Sequence, residues 1–204
     1  MVYATSPDAL PVVAAKVLIA GGLGAGKTTM VGALSEIGVL STEESMSAAS
    51  IGVDHLTGTE PKTTTTVAMD VGRLTLPVHS PARGAYLVQI MLFGTPGQDR
   101  FWFMWDDLVR GAIGGVVLAD TRRLEDCFPA VEFFEHRGTP FVVAVNEFDG
   151  AHRYSPDEIR DAISLAAHVP VLACDARRTQ SARAVLRGLV SHAITCADTP
   201  AASI

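Results

Sequence analysis

The chain has 204 residues, of which 48% are hydrophobic, and its formal net charge at pH 7 is −6. This length and apolar content suit one α/β domain with a sizeable core. The acidic balance excludes the basic surface needed for general nucleic-acid binding or for a polybasic membrane contact. Three cysteines without C-x-x-C spacing exclude a disulfide framework and the usual zinc-site spacing.

The domain is expected to occupy residues 12–196, between flexible ends at 1–11 and 197–204. The N-terminal segment lacks the cationic start of a signal peptide, and no apolar run reaches the length of a membrane span. We therefore expect a cytoplasmic protein without direct membrane insertion.

The first predicted unit is a buried strand over residues 12–19, a glycine-rich loop, and a helix that runs towards Gly38. The loop reads GGLGAGKTT and matches G-x-x-x-x-G-K-[ST], the phosphate-binding P-loop pattern. A flexible linker would also use glycine, but the order of residues and the strand-to-helix setting favour a P-loop. Backbone N–H groups and the helix dipole would bind the phosphates, Lys27 would reach the β- and γ-phosphates, and Thr28 would bind Mg²⁺. The predicted phosphate-binding residues are Gly21, Gly22, Leu23, Gly24, Ala25, Gly26, Lys27, Thr28 and Thr29.

A long polar stretch follows, Val39 to Thr66, which suggests a functional loop with a short helix as one option near residues 43–50. Next come two strand-like runs, TVAMDVGRLTL and AYLVQIMLF, separated by a turn that contains proline and glycine. Their short connection predicts an antiparallel pair.

Beyond Phe93, buried strands alternate with helices. The strands are GGVVLAD, FVVAVN and PVLAC, and the helices are LEDCFPAVEFFEHRG, SPDEIRDAISLAAH and TQSARAVLRGLVSHAI. Pro129 is expected to interrupt or kink the first helix, and Ser155 to cap the second. The alternation predicts a mostly parallel, six-stranded α/β sheet with one antiparallel strand and helices on both faces. Ligands of such sheets bind at the carboxyl ends of the strands.

Four further motifs fall at strand ends or in the polar stretch: TVAMD (66–70), FGTPGQD (93–99), NEFD (146–149) and CDAR (174–177). In this order, with the P-loop, they resemble the five nucleotide-binding boxes of the Ras-like small GTPases, and the likeness runs from about Lys16 to about Ile194. The proline before the box-three glycine is similar to that of bacterial MglA-like proteins. The wording GTPGQDRFWFMWDDLVRGA is similar to conservon-type GTPases of actinobacteria.

This resemblance implies a P-loop NTPase of the G-domain type that binds GTP or GDP with Mg²⁺ and acts as a signalling switch. By resemblance, Thr66 joins the Mg²⁺ shell and senses the γ-phosphate, and Asp70 four residues on favours Thr66 within its threonine tract. Gly97 offers its N–H to the γ-phosphate, Gln98 orients the attacking water, and Lys27 completes the catalytic set. Loss of the γ-phosphate releases both switch segments.

Guanine selection falls, by the same resemblance, to the NEFD and CDAR boxes. Asp149 accepts hydrogen bonds from the base N1–H and the exocyclic amine, and Asn146 supports the pocket. Ala176 presents its N–H to guanine O6.

The sequence departs from the family pattern at four points. Gly94 stands where most Ras-like proteins have an aspartate, so an acid near Mg²⁺ is missing from that position. Leu23 replaces a P-loop glycine and would crowd an arginine supplied by a partner, while Glu147 replaces a lysine that stacks on the base. With no arginine before Thr66, slow, partner-dependent hydrolysis is expected.

Two other functions stay open. One is a guanine-nucleotide-binding module that does not hydrolyse, which Gly94 and Leu23 favour. The other is a P-loop ATPase in which Asp120, after GGVVLAD, holds Mg²⁺ as a Walker-B-like acid. That reading leaves the NEFD and CDAR boxes without a role.

Large apolar side chains crowd the segment FWFMWDDL, residues 101–108. Core packing accounts for about half of them, and Trp102 is the residue we expect in a partner-binding patch. By resemblance, the partner is a Roadblock/LC7-type regulator, and a sensor-kinase complex would recruit the pair peripherally to a membrane.

Overall fold

The computed structural model of the chain describes residues 10–46, 65–82, 84–96 and 104–198. Within these ranges the strands are β1 (Val12–Gly21), β2 (Leu40–Met46), β3 (Thr65–Ser80), β4 (Gly84–Gly94), β5 (Gly114–Ala119), β6 (Phe141–Asn146) and β7 (Val171–Cys174). The helices are α1 (Lys27–Leu34), α2 (Trp105–Val109), α3 (Phe128–Arg137), α4 (Pro156–Ala162) and α5 (Thr179–Asp198), and a 3₁₀ turn at Leu124–Cys127 leads into α3.

The strands form one sheet in the spatial order β2-β3-β4-β1-β5-β6-β7. Strand β3 runs against both of its neighbours, whereas the other described strands all run in one direction. The predicted α/β sheet, mostly parallel with one antiparallel strand, is confirmed. Because β3 is reversed, its beginning lies at the same edge of the sheet as the carboxyl ends of the other strands.

The described sheet has seven strands, so the prediction of six was wrong. The additional strand is β2, which pairs with β3 from Leu40↔Val71 to Met46↔Thr65. It lies inside the polar stretch that suggested a loop, and its last residues overlap the optional helix at 43–50. Its sequence, LSTEESM, lacks the apolar alternation of a half-buried strand. An edge strand needs little apolar surface, and polar residues there discourage pairing with other chains, so periodicity did not reveal it.

The core consists of two apolar layers, one on each face of the sheet. Strand β5 serves both layers, because successive side chains of a strand point to opposite faces. Val116 and Leu118 pack with α1 and α5, while Val117 and Ala119 pack with α3 and α4. Each such side chain contributes about 1.5–3 kcal/mol when fully buried. These layers fix the strand ends that carry the functional residues.

The helix ends differ in detail from the sequence predictions. Helix α1 ends at Leu34 rather than near Gly38, because Ser35 is extended and its hydroxyl accepts a hydrogen bond from the N–H of Arg73 at 3.1 Å. Pro129 lies in the first turn of α3, where a proline needs no partner for its missing N–H, so it starts the helix instead of kinking it. Ser155 caps α4 in a reciprocal capping box with Glu158, as expected.

The aromatic segment is only partly described. Trp105, at the start of α2, is buried and meets the ring of Phe133 edge to face at 5.2 Å. Trp102, for which a partner-binding role was predicted, lies outside the described residues. In the part of the chain that the structure describes, no helix combines the length and apolar character needed to cross a bilayer.

Candidate functional site

The P-loop connects the end of β1 to the start of α1 at the sheet edge where strands β1, β5, β6 and β7 end. Among the described residues no side chain caps the start of α1, and the first N–H groups of a helix have no partner within it. Gly26 precedes the helix with φ +103°, a conformation that glycine adopts at little cost. A Cβ atom at Gly26 would lie 2.6 Å from Asn146 Nδ2, so a side chain there is also excluded by contact. This geometry is that of an anion-binding helix start.

Lys27 lies across the beginning of the same loop. Its Nζ donates to the carbonyl oxygens of Gly21 at 2.8 Å and Gly22 at 2.7 Å. Burial lowers the pKa of Lys27 to about 8, and the negative charge of Asp70 partly opposes this shift. A lysine with this pKa is protonated at neutral pH but loses its charge in mild alkali.

Nucleotide affinity is therefore expected to fall as the pH rises above about 8. A polyphosphate stabilises the charged ammonium, so the pKa of Lys27 is higher in the complex than in the free protein. Nucleotide affinity is then highest below the pKa that Lys27 has in the free protein. Above that pKa the affinity declines by up to about tenfold per pH unit. Calorimetry of GDP binding in two buffers of different ionisation enthalpy would measure both the affinity and the proton uptake.

Lys27→Arg is the matched variant for this experiment, because a guanidinium stays charged throughout the accessible range. Its affinity should not vary with pH in the alkaline range. A constant affinity for the unmodified protein, with no proton uptake between about pH 7 and 9, would contradict the assignment.

A buried carboxylate stands beside Thr28. Asp70, on β3, accepts a hydrogen bond from Thr28 Oγ1 through Oδ2 and one from Ser41 Oγ through Oδ1, the latter at 2.7 Å. Asp70 is 9% exposed. The two hydroxyls hydrogen-bond this carboxylate beside the P-loop, next to Thr28, the predicted Mg²⁺ ligand. In the sequence, Asp70 served only to locate Thr66, and the position of its carboxylate beside Thr28 was not predicted.

Gly94 leaves room for that carboxylate. Asp70 and Gly94 are directly opposite each other in the β3–β4 ladder, and a Cβ at Gly94 would lie 3.2 Å from the Asp70 Cβ. Because glycine stands at position 94, an acid near Mg²⁺ was expected to be missing. The structure corrects this, since an acid is present on the neighbouring strand. The departure at Gly94 is thus matched by a carboxylate at almost the same place in space.

Asn146 joins the phosphate side of the site to the base side. Its Nδ2 donates to the carbonyl of Ala25 in the P-loop at 2.9 Å, and its Oδ1 accepts from the N–H of Ala176 at 3.0 Å. The side chain is buried, and this bridge fits the predicted supporting role. The Ala176 N–H was predicted to face guanine O6, but here it donates to Asn146, so contact with O6 requires this bond to be shared or exchanged.

Asp149 carries an exposed carboxylate that is held by an arginine. Arg177 Nη1 and Nη2 donate to its two oxygens at 2.8 and 3.1 Å, and Arg177 also bonds Asp175. The hydrogen bonds from Arg177 hold the pKa of Asp149 below its ordinary value, so the group is an ionised acceptor at neutral pH. Each oxygen has a further lone pair, so the carboxylate can accept from a base while Arg177 stays bound.

The remaining side chains around the NEFD box are paired. Glu147 forms an ion pair with Arg153 at 3.0 Å, and the Arg122 guanidinium lies 3.9 Å from the centre of the Phe148 ring. Arg122 also binds buried Asp120 through two hydrogen bonds of 2.9 and 2.7 Å, which lower the pKa of that carboxyl. Asp120 is thus neutralised by its own neighbour. A role as the acid of an ATPase metal site would require this pair to open.

For three predicted site residues the structure describes no side chain. Gly97 and Gln98 lie outside the described residues. The backbone of Thr66 is in β3, paired with Ser45, and its side chain is not described. Asp70 is the fourth residue after Thr66 along the strand, about 13 Å away. The switch and catalytic roles of Thr66, Gly97 and Gln98 therefore stay predictions.

Solved structures share this fold. One is the G domain of the T. maritima FeoB iron transporter, which is 18% identical with a TM-score of 0.57, the match covering 91% of this chain and 100% of that one. The G domain of FeoB from Methanococcus jannaschii is 12% identical with a TM-score of 0.56, covering 89% and 98%. Fold and P-loop together define a P-loop NTPase with the G-domain fold.

More specifically, the chain belongs to the family described as conserved hypothetical ATP binding protein, whose model matches residues 19–196. No curated protein matches the chain. These matches support the P-loop part of the predicted resemblance. They do not test the likeness to the MglA-like and conservon-type branch, which stays a prediction.

Proposed function

We propose that the protein is a regulatory GTPase, which binds GTP and GDP with Mg²⁺ and hydrolyses GTP slowly as a nucleotide-dependent switch. The observation that carries the proposal is the ionised Asp149 carboxylate, which follows β6 in the same segment as Asn146, the residue whose side chain binds the P-loop. Guanine offers two adjacent donors, N1–H and the 2-amine, to such an acceptor, whereas adenine has neither. Asn146 and Asp149 would thus bring the phosphate site and the base site together at the end of one strand, β6.

Mg²⁺ fits the oxygen donors beside the P-loop. Thr28 supplies a hydroxyl and Asp70 a carboxylate, and Mg²⁺ in such sites uses one or two protein oxygens together with phosphates and water. No cluster of three or more His, Cys, Asp or Glu side chains suited to a metal occurs among residues 10–46, 65–82, 84–96 and 104–198. Bound there, the ion would neutralise charge on the β- and γ-phosphate oxygens. Asp70 would orient Thr28 and the metal-bound water.

Asp70→Asn should therefore lower the affinity of the site for Mg²⁺, so that Mg²⁺ supports nucleotide binding less effectively. Loss of the acidic neighbour of a metal ligand typically lowers metal affinity by about 10- to 100-fold. The measurement is the dissociation rate of a fluorescent GDP analogue as Mg²⁺ is titrated. Ser41→Ala is the matched control, because it removes the other hydrogen bond to the carboxylate and leaves its charge. Equal Mg²⁺ dependence in Asp70→Asn and the unmodified protein would refute this role.

Two alternatives have specific support. The family description names ATP, so an ATP-binding protein is the second candidate; the Asp120–Arg122 pair and the Asp149 carboxylate favour guanine instead. The third candidate is a guanine-nucleotide-binding module without turnover. Calorimetry with GDP, GTP, ADP and ATP in the presence of Mg²⁺, followed by single-turnover phosphate release, separates the three. Tight ATP binding without GTP binding would overturn the proposal, and GTP binding without phosphate release would support the third candidate.

The switch would act through a protein partner. We propose a Roadblock/LC7-type regulator, with a sensor-kinase complex that recruits the protein peripherally to a membrane, from the resemblance in the sequence. Leu23 supports a contact near the nucleotide, since this apolar side chain stands 61% exposed on the P-loop. Trp102 is the second proposed contact. Binding of the purified pair, compared between the GDP and GTP states, tests this part.

A further inference from the structure

The segment after β5 packs on the P-loop. Strands β1 and β5 are adjacent and parallel, with Gly21 opposite Leu118, so the chain leaving β5 passes directly over the loop that leaves β1. There it forms a tight turn in which the N–H of Arg123 donates to the carbonyl of Asp120 at 2.9 Å. A Cβ at Gly22 would lie 2.4 Å from the Cβ of Asp126, so the 3₁₀ turn that follows, Leu124–Cys127, touches the loop backbone itself.

Arg123 carries this contact to the tip of the P-loop. Its Nη2 donates to the carbonyl of Leu23 at 2.6 Å and would lie 3.3 Å from a Cβ at Gly24. Its ion pair with Asp126 is long, at 3.6 Å. A guanidinium has five N–H donors in a planar fork, so the bond to Leu23 leaves donors for another acceptor. The guanidinium is therefore anchored on the phosphate-binding loop and has N–H groups to offer.

The neighbouring Arg122 gives a useful contrast. Both side chains have the same charge and the same origin after β5, but Arg122 is bound in a bidentate pair to buried Asp120 and covers the Phe148 ring. Arg122 is thus committed to the base side of the site. Arg123, by comparison, is held on the phosphate side by a neutral carbonyl at 2.6 Å and only by a longer ion pair with Asp126 at 3.6 Å.

We propose that Arg123 is an arginine that this chain supplies to its own bound triphosphate, and this inference rests on the proposed GTPase function. In hydrolysis a water oxygen forms a bond to the γ-phosphorus as the bond to the β–γ bridging oxygen breaks. The electron pair passes to the β-phosphate of GDP, and the water proton leaves with phosphate. Arg123, anchored on Leu23, neutralises the negative charge that accumulates on the β–γ bridging oxygen and on the γ-phosphate oxygens. An arginine supplied in this way suits phosphate geometry and a largely electrostatic transition state.

This assignment also accounts for Leu23. Sequence analysis expected its side chain to crowd an arginine that enters from a partner. In the structure, an arginine of the same chain is bonded to the Leu23 carbonyl from the protein side. The side chain of Leu23 is exposed, so it leaves this internal approach clear.

The test compares Arg123→Gln and Arg123→Lys with Arg110→Gln, which removes an exposed charge paired with Asp107 at the end of α2. We measure single-turnover GTP hydrolysis, GDP affinity, and formation of a complex with GDP and aluminium fluoride, which mimics the transferring phosphoryl group. Arg123→Gln should hydrolyse GTP about 100-fold more slowly or worse and should fail to form the aluminium fluoride complex. Its GDP affinity should change by less than about threefold, since GDP lacks the transferring group. Arg123→Lys should fall between, and Arg110→Gln should behave as the unmodified protein.

Two results would overturn the inference and leave the proposed function intact. One is unchanged hydrolysis and aluminium fluoride binding in Arg123→Gln. The other is an equal loss of GDP binding and hydrolysis, which would mean that Arg123 only stabilises the conformation of the P-loop backbone. Failure of the unmodified protein to bind any guanine nucleotide would instead remove the proposed function, and with it the premise of this inference. An unmodified protein that binds GTP but hydrolyses little is judged by the aluminium fluoride complex alone.

Discussion

Asp149→Asn is expected to lower GTP affinity by about 100- to 1000-fold and to create affinity for xanthosine triphosphate. Two hydrogen bonds from the guanine N1–H and 2-amine to a carboxylate are worth about 3–4 kcal/mol together, which corresponds to that loss. Xanthine carries a carbonyl oxygen where guanine has the 2-amine, and an asparagine amide can donate to it. Competition of each triphosphate against a fluorescent GDP analogue measures the exchange.

Asp175→Asn is the matched control for this prediction. Asp175 shares Arg177 with Asp149 and loses the same charge, but it lies after β7 and is not assigned to the base. It should leave the preference for GTP over xanthosine triphosphate unchanged. If Asp149→Asn lost neither GTP affinity nor selectivity, guanine recognition by this residue would be wrong, and the ATP alternative would gain support.

Gly26→Ala is expected to abolish measurable nucleotide binding and to lower the free energy of unfolding by about 3 kcal/mol. The alanine would adopt φ +103° and would push its Cβ to 2.6 Å from Asn146 Nδ2. Displacing that side chain breaks its bonds to Ala25 and Ala176, so both the phosphate side and the base side are damaged. Chemical denaturation and GDP calorimetry measure the two effects.

Gly84→Ala isolates the backbone part of that loss. Gly84 has φ +72° as the first residue of β4, next to the turn from β3, and a Cβ there would meet no atom within 4 Å among the described residues. We expect about 1–2 kcal/mol of destabilisation from the left-handed backbone alone and normal nucleotide binding. If both variants bound GDP normally, the contact between Gly26 and Asn146 would not matter for the site.

The parts of the site that depend on local sequence could be predicted. The P-loop is a continuous segment whose glycines and lysine specify its conformation and its ligand, and the strands on either side are strongly apolar. Asn146 and Asp149 follow a buried strand, so their location at the ligand edge followed from the strand alone. The direction of β3 also followed, because a short turn joins it to β4.

Contacts between strands or between turns could not be predicted in the same way. Asp70 lies 42 residues beyond Thr28, and only the register of β3 against β4 brings it to the P-loop. Arg123 lies 100 residues from Leu23, and its contact depends on the conformation of a 3₁₀ turn with no sequence motif. Strand β2 was missed for a different reason, because an edge strand with a polar sequence lacks the periodicity that identifies buried strands.

The pairing of Asp70 with Gly94 shows that the position of a residue in the sequence does not by itself define where its side chain lies in space. Neighbouring strands are about 4.8 Å apart, so a carboxylate attached to one backbone can serve almost the same volume when attached to the next. A motif search inspects one backbone at a time and records glycine at position 94 as a lost acid. In folds of this kind, functional groups are therefore better searched for among the residues paired across neighbouring strands than along a single strand.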